Sequence, residues 1–305
     1  EDENGLWVES GGDSVRISEP SAPWTCRAAR GEAVAVCRAG SLSVLSTAGG
    51  AIASWRLPGW LGFRDDRVSL SRDGRSAVVT TAGGFAVFAA GEAEPVLYFP
   101  AEGYDDAPAE FLVQGDLVAI GRNDGILEIW GISSGEVELE FTGFGALAGR
   151  PTVLWASDDG EALLAGSSRG AVAAWHARTG NELWGEFPFE GPVGTVVAAS
   201  GLAWVLASDG RTVSLLSRRS GDVLLTFAID REGNWLATTP DGYHVSSGPG
   251  GEALLGLRLW QNPRPQNAAP FRLVSAGDPD LASLGGALDA LRVTLIGAGE
   301  DAGGP

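Results

Sequence analysis

The 305-residue sequence contains no lysine and no methionine, and only two cysteines, two histidines and three tyrosines. Each shortage excludes something. With arginine as the only strong base, 39 acidic residues set a net charge of −18. That charge opposes approach to a phosphate backbone and reads against a nucleic-acid partner. No apolar run approaches the ~20 residues that cross a bilayer, so no transmembrane segment is expected. No charged n-region leads into an apolar h-region either. Because the chain begins at Glu1 rather than Met, a removed or trimmed upstream segment is expected. Neither His176 nor His244 lies in a close cluster with cysteine or another histidine, which argues against zinc.

What is abundant is glycine, 45 residues, with 16 prolines and a hydrophobic content of 44%, arranged as short alternating runs between turn signals. This is the composition of a β protein with a real core. The runs also repeat. A glycine followed by an apolar strand recurs at Gly40 (GSLSVLS), Gly84 (GFAVFA), Gly125 (GILEIW), Gly170 (GAVAAW) and Gly210 (GRTVSLL), spaced 44, 41, 45 and 40 residues apart. A weaker copy begins at Gly12. Each glycine strand is expected to be preceded by a strand, as in 116–125, 161–170 and 201–210, and followed by one after a Ser/Thr-Gly corner, as in 132–141, 177–187 and 218–227. A further short strand is expected upstream, for example over 152–160. Four strands per period, each too short to bury a core alone, predict an all-β propeller of four-stranded blades. Counting glycine strands from Gly12 to Gly242 predicts seven blades, with six as the alternative. Trp130 and Trp175 end corresponding strands and are expected to pack between blades.

Cys26 and Cys37 bracket RAARGEAVAV. A two-residue turn at Gly31-Glu32 would set them opposite one another on paired strands, either as a disulfide or as two small buried hydrophobes.

The repeat, with Trp130 and Trp175 closing successive strands, resembles a divergent bacterial WD40-type propeller. Gly131 and His176 stand where that family's Asp follows Trp, and no Gly-His pair opens a blade, so the family's buried hydrogen-bond tetrad is not expected. The Thr179-Gly180 corner is similar to those of quinoprotein-like propellers. In the stretch GNWLATTPDGYHVSSG (233–248), Trp235, Thr239, Pro240, Asp241, Gly242, Tyr243 and Ser246-Ser247 are similar to a string found in bacterial WD40 proteins where the propeller meets a caspase-like domain. His244 replaces a second Tyr. The stretch also reads without any ligand as a closing hairpin, with Pro240 presetting φ and Gly242 taking a positive one. A propeller is expected over 1–262. A linker-like extension over 263–305 follows, with a short helix at 283–296 where Leu284, Leu288, Leu291 and Leu295 keep helical spacing.

The enzyme readings are weaker. A caspase-like mechanism needs a thiolate beside a histidine, and the only thiols lie far in sequence from both histidines. The pairs Asp65-Asp66, Asp105-Asp106 and Asp158-Asp159 lack the ligand spacing of a calcium loop and read as solvated turns. No Gly-Lys-Ser/Thr follows the NDG, DDG, SDG and PDG turns. No cofactor is therefore expected. The expected function is a non-catalytic, monomeric scaffold or sensing module of a larger bacterial protein, holding a protein partner outside the cytoplasm, with a cytoplasmic location as the alternative. Its candidate anchors are Trp60, Phe63, Tyr104, Trp235, Tyr243 and His244. The competing expectation is a hydrolase or small-ligand binder with acidic residues of several blades lining a central channel.

Overall fold

A computed structural model describes residues 6–10, 13–18, 26–30, 32–38, 40–48, 50–57, 67–81, 83–100, 103–104, 107–112, 116–144, 148–198, 202–230, 232–242 and 244–249. The expected extension over 263–305 lies outside these residues, as do Trp60, Phe63 and Tyr243. The chain divides into two compact units, 1–222 and 223–305.

The first unit opens with the hairpin β1 (Leu6–Ser10) and β2 (Asp13–Ser18). Four antiparallel four-stranded meanders follow. The first comprises β3 (Cys26–Arg30), β4 (Ala33–Arg38), β5 (Ser41–Ser46) and β6 (Gly50–Arg56). The second comprises β7 (Arg67–Leu70), β8 (Ser76–Thr81), β9 (Gly84–Ala89) and β10 (Leu97–Pro100). The third is β11 (Ala109–Phe111), β12 (Leu117–Gly121), β13 (Ile126–Gly131) and β14 (Val137–Thr142). The fourth is β15 (Pro151–Ala156), β16 (Ala162–Ser167), β17 (Val172–His176) and β18 (Glu182–Glu186). The unit ends with β19 (Thr195–Val197), β20 (Trp204–Ser208) and β21 (Thr212–Ser217), again antiparallel. In the second unit β22 (Val223–Ile229), β23 (Trp235–Thr238) and β24 (His244–Ser246) pair in sequence order. The stretch beginning at Gly233 is thus a hairpin, with Thr238 opposite His244.

The repeated glycine heads the third strand of each meander, and in the third and fourth meanders the reason is steric. Gly125 and Gly170 hold φ of +91° and +86°, where L side chains are strained. A Cβ on either would also collide with a backbone carbonyl, that of Phe144 or of Phe189. The amides of those phenylalanines donate to the same glycines, at 2.8 and 3.4 Å. The glycine therefore lets the chain leaving the sheet lie against the start of the third strand.

The middle strands are buried on both faces, and alternate residues enter different cores. On β8, Ala77 and Val79 join one cluster with Leu42, Trp55 and Phe88. Val78, between them, joins Phe85, Phe111, Ile120 and Trp130 in the next. Leu127 and Ile129 then meet Leu154, Leu163 and Trp175 in a third. Each core is therefore shared by two successive meanders, and no single sheet owns one. Trp130 and Trp175 sit in these shared cores, each just past a register shift against the fourth strand. The backbones of successive meanders come closest at their first and second strands, with β3, β7, β11, β15 and β19 adjacent in order.

Candidate functional site

Of the six anchors expected from the sequence, three are described, Tyr104 in the first unit and Trp235 and His244 in the second. Tyr104 is buried, 4% exposed. Its ring packs on Phe85 and Phe99, and its hydroxyl donates to Glu128 Oε2 at 2.6 Å. His244 is also buried, at 6%, and its Nδ1 has no hydrogen-bond partner among the described residues. Trp235 is half-buried and stacks on Phe227, with ring centroids 5.8 Å apart and planes at 20°. Cys26 stands opposite Cys37 in the β3–β4 register, and Cys37 is disulfide-bonded.

Two polar constellations had no counterpart in the sequence reading. The first centres on Glu128, a single acid in the apolar run ILEIW and only 2% exposed. Its carboxylate accepts from Tyr104, from the Trp130 indole N–H at 2.8 Å and from the Arg122 guanidinium at 2.9 Å. Burial, and then the bond to Glu128, push the Tyr104 phenol well above its ordinary value of 10.0. The bond to Glu128 likewise raises Arg122, against its partial burial. All four groups satisfy one another at the rim of the aromatic core of Phe85, Phe99 and Trp130, so the arrangement is structural. In the next meander Ala173 stands two residues before Trp175, where Glu128 stands before Trp130. The Trp175 indole N–H accordingly has no partner among the described residues.

The second constellation borders a cavity. Register pairs Ala162 with His176 and Leu164 with Ala174, so these four share the face of β16–β17 opposite Leu163, Ala165, Ala173 and Trp175. With Glu161, Leu183 and Arg218 they line a cavity of about 190 Å³. Arg218 is held at both ends. Its carbonyl accepts the Trp184 indole N–H at 2.9 Å, and its guanidinium pairs with Asp159 at 2.6 Å. Asp159 also accepts from the Ser157 hydroxyl at 2.5 Å and from the Glu161 amide at 3.0 Å. Burial works to raise the Asp159 carboxyl, but these bonds and Arg218 outweigh it and leave the pKa lowered. His176 Nδ1 accepts the Arg178 amide at 3.3 Å. The Glu161 carboxylate makes no hydrogen bond or ion pair among the described residues.

The same turn chemistry recurs at Ser71–Ser76, where Ser71 donates to Asp73 at 2.7 Å and Asp73 accepts the Arg75 amide at 3.0 Å. Asp73 and Asp230, like Asp159, are lowered: in Asp73 hydrogen bonds from Ser71 and Arg75 overcome burial, and in Asp230 the bonds from Asn234 lead. That is the direction of turn acceptors, opposite to the raised carboxyl a general acid needs. Among the described residues no group of three or more His, Cys, Asp or Glu is placed to hold a metal ion. No described helix is long and apolar enough to cross a membrane.

No family model matches the chain, and no curated protein matches it. Among solved structures it is similar to the crystal structure of the computationally designed Ika8 protein, with a TM-score of 0.57 and 15% identity over 80% of this chain and 77% of that one. In all, 1602 solved chains match, and the 15% identity to the designed protein shows a likeness of fold alone.

Proposed function

We propose that the four-stranded meanders are blades of a β-propeller of the divergent WD40 or quinoprotein-like kind, seven in number, serving as a non-catalytic scaffold for a protein partner. The carrying observation is the ordered contact of β3, β7, β11, β15 and β19, as expected of innermost strands around an axis. Shared cores between successive blades support the same reading, because they leave loops and outer strands to form a rigid, broad surface. The use of Asp73, Asp159 and Asp230 as turn acceptors favours a scaffold over an acid–base site. The disulfide at Cys37 favours a location outside the cytoplasm.

Affinity capture with the purified chain, followed by calorimetry on each recovered protein, tests the scaffold. Stoichiometric, saturable binding is expected. Hydrolysis of test glycosides or esters by a chain that captures nothing overturns the reading. Mass measured with and without reductant tests the disulfide. Two added hydrogens on reduction are expected, and an unchanged mass removes the argument for the compartment.

A further inference from the structure

We propose that the cavity lined by Glu161, Leu164, Ala174, His176, Leu183 and Arg218 receives one basic side chain, lysine or arginine, from a protein partner. This rests on the scaffold reading and names the class of partner. Size is the first argument. About 190 Å³ is below the ~300–1,000 Å³ usual for small-molecule and cofactor sites, and suits a single long side chain.

The lining has the polarity of such a chain. Leu164 and Ala174 are already buried behind the cavity, and Leu183 stands beside them 51% exposed, which is the apolar surface that methylene groups would cover. The charged end has a receiver. Arg218 is neutralised by Asp159, which also accepts from Ser157 and the Glu161 amide. Glu161 is the carboxylate on this cavity that no described residue pairs. An acidic occupant would meet Glu161 and a chain of net charge −18. An apolar occupant would desolvate Glu161 and His176 with nothing in return. A cation gains from both the local carboxylate and the long-range field, which also speeds its approach.

The test is an NMR titration of the isotope-labelled full chain with three blocked peptides of glycine and serine around one central residue: lysine, its uncharged isostere norleucine, or glutamate. The lysine peptide is expected to shift the amides of Ala162, Ala174, His176 and Leu183 and to bind about threefold more tightly than norleucine, the size of one exposed ion pair. Glu161→Gln should erase that difference. Leu183→Arg, which supplies a basic chain in cis, should block the lysine peptide while leaving Glu161 in place. Equal affinity for all three peptides, shifts confined to other blades, or indifference to Glu161→Gln overturns the proposal. The peptides decide the cavity and the capture experiment decides the scaffold. A captured partner held equally by Glu161→Gln sinks the first and spares the second, whereas lysine-peptide binding without any captured partner does the reverse.

Discussion

Replacing Glu128 with leucine keeps most of the side-chain volume but removes the acceptor on which three donors converge. Two of those donors, the Tyr104 hydroxyl and the Trp130 indole N–H, are buried, their residues each 4% exposed. Left unpaired they cost about 1–3 kcal/mol each. Arg122 is different: its side chain is 30% exposed, and it keeps its pair with Asp124 at 2.6 Å, so its loss is small. The added apolar contacts of leucine offset roughly 1–2 kcal/mol. The expected net loss for Glu128→Leu is then about 0–5 kcal/mol, centred near 2.5. Urea unfolding followed by circular dichroism reads it as a lower midpoint at unchanged slope. Tyr104→Phe gives the sharper readout. In the parent it removes one hydrogen bond to a charged group and should cost about 1–2 kcal/mol. In the Glu128→Leu background it removes an orphaned hydroxyl and should cost nothing or stabilise. A Glu128→Leu variant more stable than the parent, or a Tyr104→Phe cost equal in both backgrounds, refutes the network as described.

The two corresponding tryptophans should separate. Trp130→Phe loses a bond to Glu128 and should cost about 1.5–3 kcal/mol, whereas Trp175→Phe relieves an unpaired buried N–H and should cost less, both read from urea midpoints. Gly170→Ala combines positive φ with a clash on the Phe189 carbonyl and should lose about 2–4 kcal/mol. Gly210→Ala has a similar φ of +82° but open space, so about 1–2 kcal/mol is expected, and equal costs would remove the steric account of the repeat. Because the Tyr104 pKa is raised on folding, its contribution is complete below the ordinary phenol pKa of 10.0 and is lost as pH rises above it. Its phenolate absorbance should therefore appear together with alkaline unfolding, and Tyr104→Phe should flatten that limb. A Tyr104 signal that titrates near 10 in the folded chain would contradict its burial.

Much of the fold was legible because it follows from local rules repeated at a fixed interval. The glycine strands, their neighbours on either side and the hairpin around Pro240 all fall where alternation and turn chemistry place them. The opposition of Cys26 and Cys37 likewise follows from counting residues across the loop at 31–32. The burial of Tyr104, by contrast, leaves no sign in the polar stretch EGYDDAP, and only its approach to Glu128 across 24 residues shows why it is inside. Glu128 itself left one trace, an acid within an apolar strand two residues before a tryptophan, but its three donors arrive from separate positions along the chain.

The sequence by itself determined the strands, their order within each sheet and the glycine at every third strand, since φ, alternation and turn type depend on neighbours in the chain. Only the tertiary structure decided which face of β8, β9, β12 and β13 enters which core, and that Asp159 is paired with Arg218 59 residues away while Glu161 is left unpaired beside an apolar cavity. Burial and charge pairing depend on distance in space, and no periodicity in the sequence records which distant side chain will neutralise a given carboxylate.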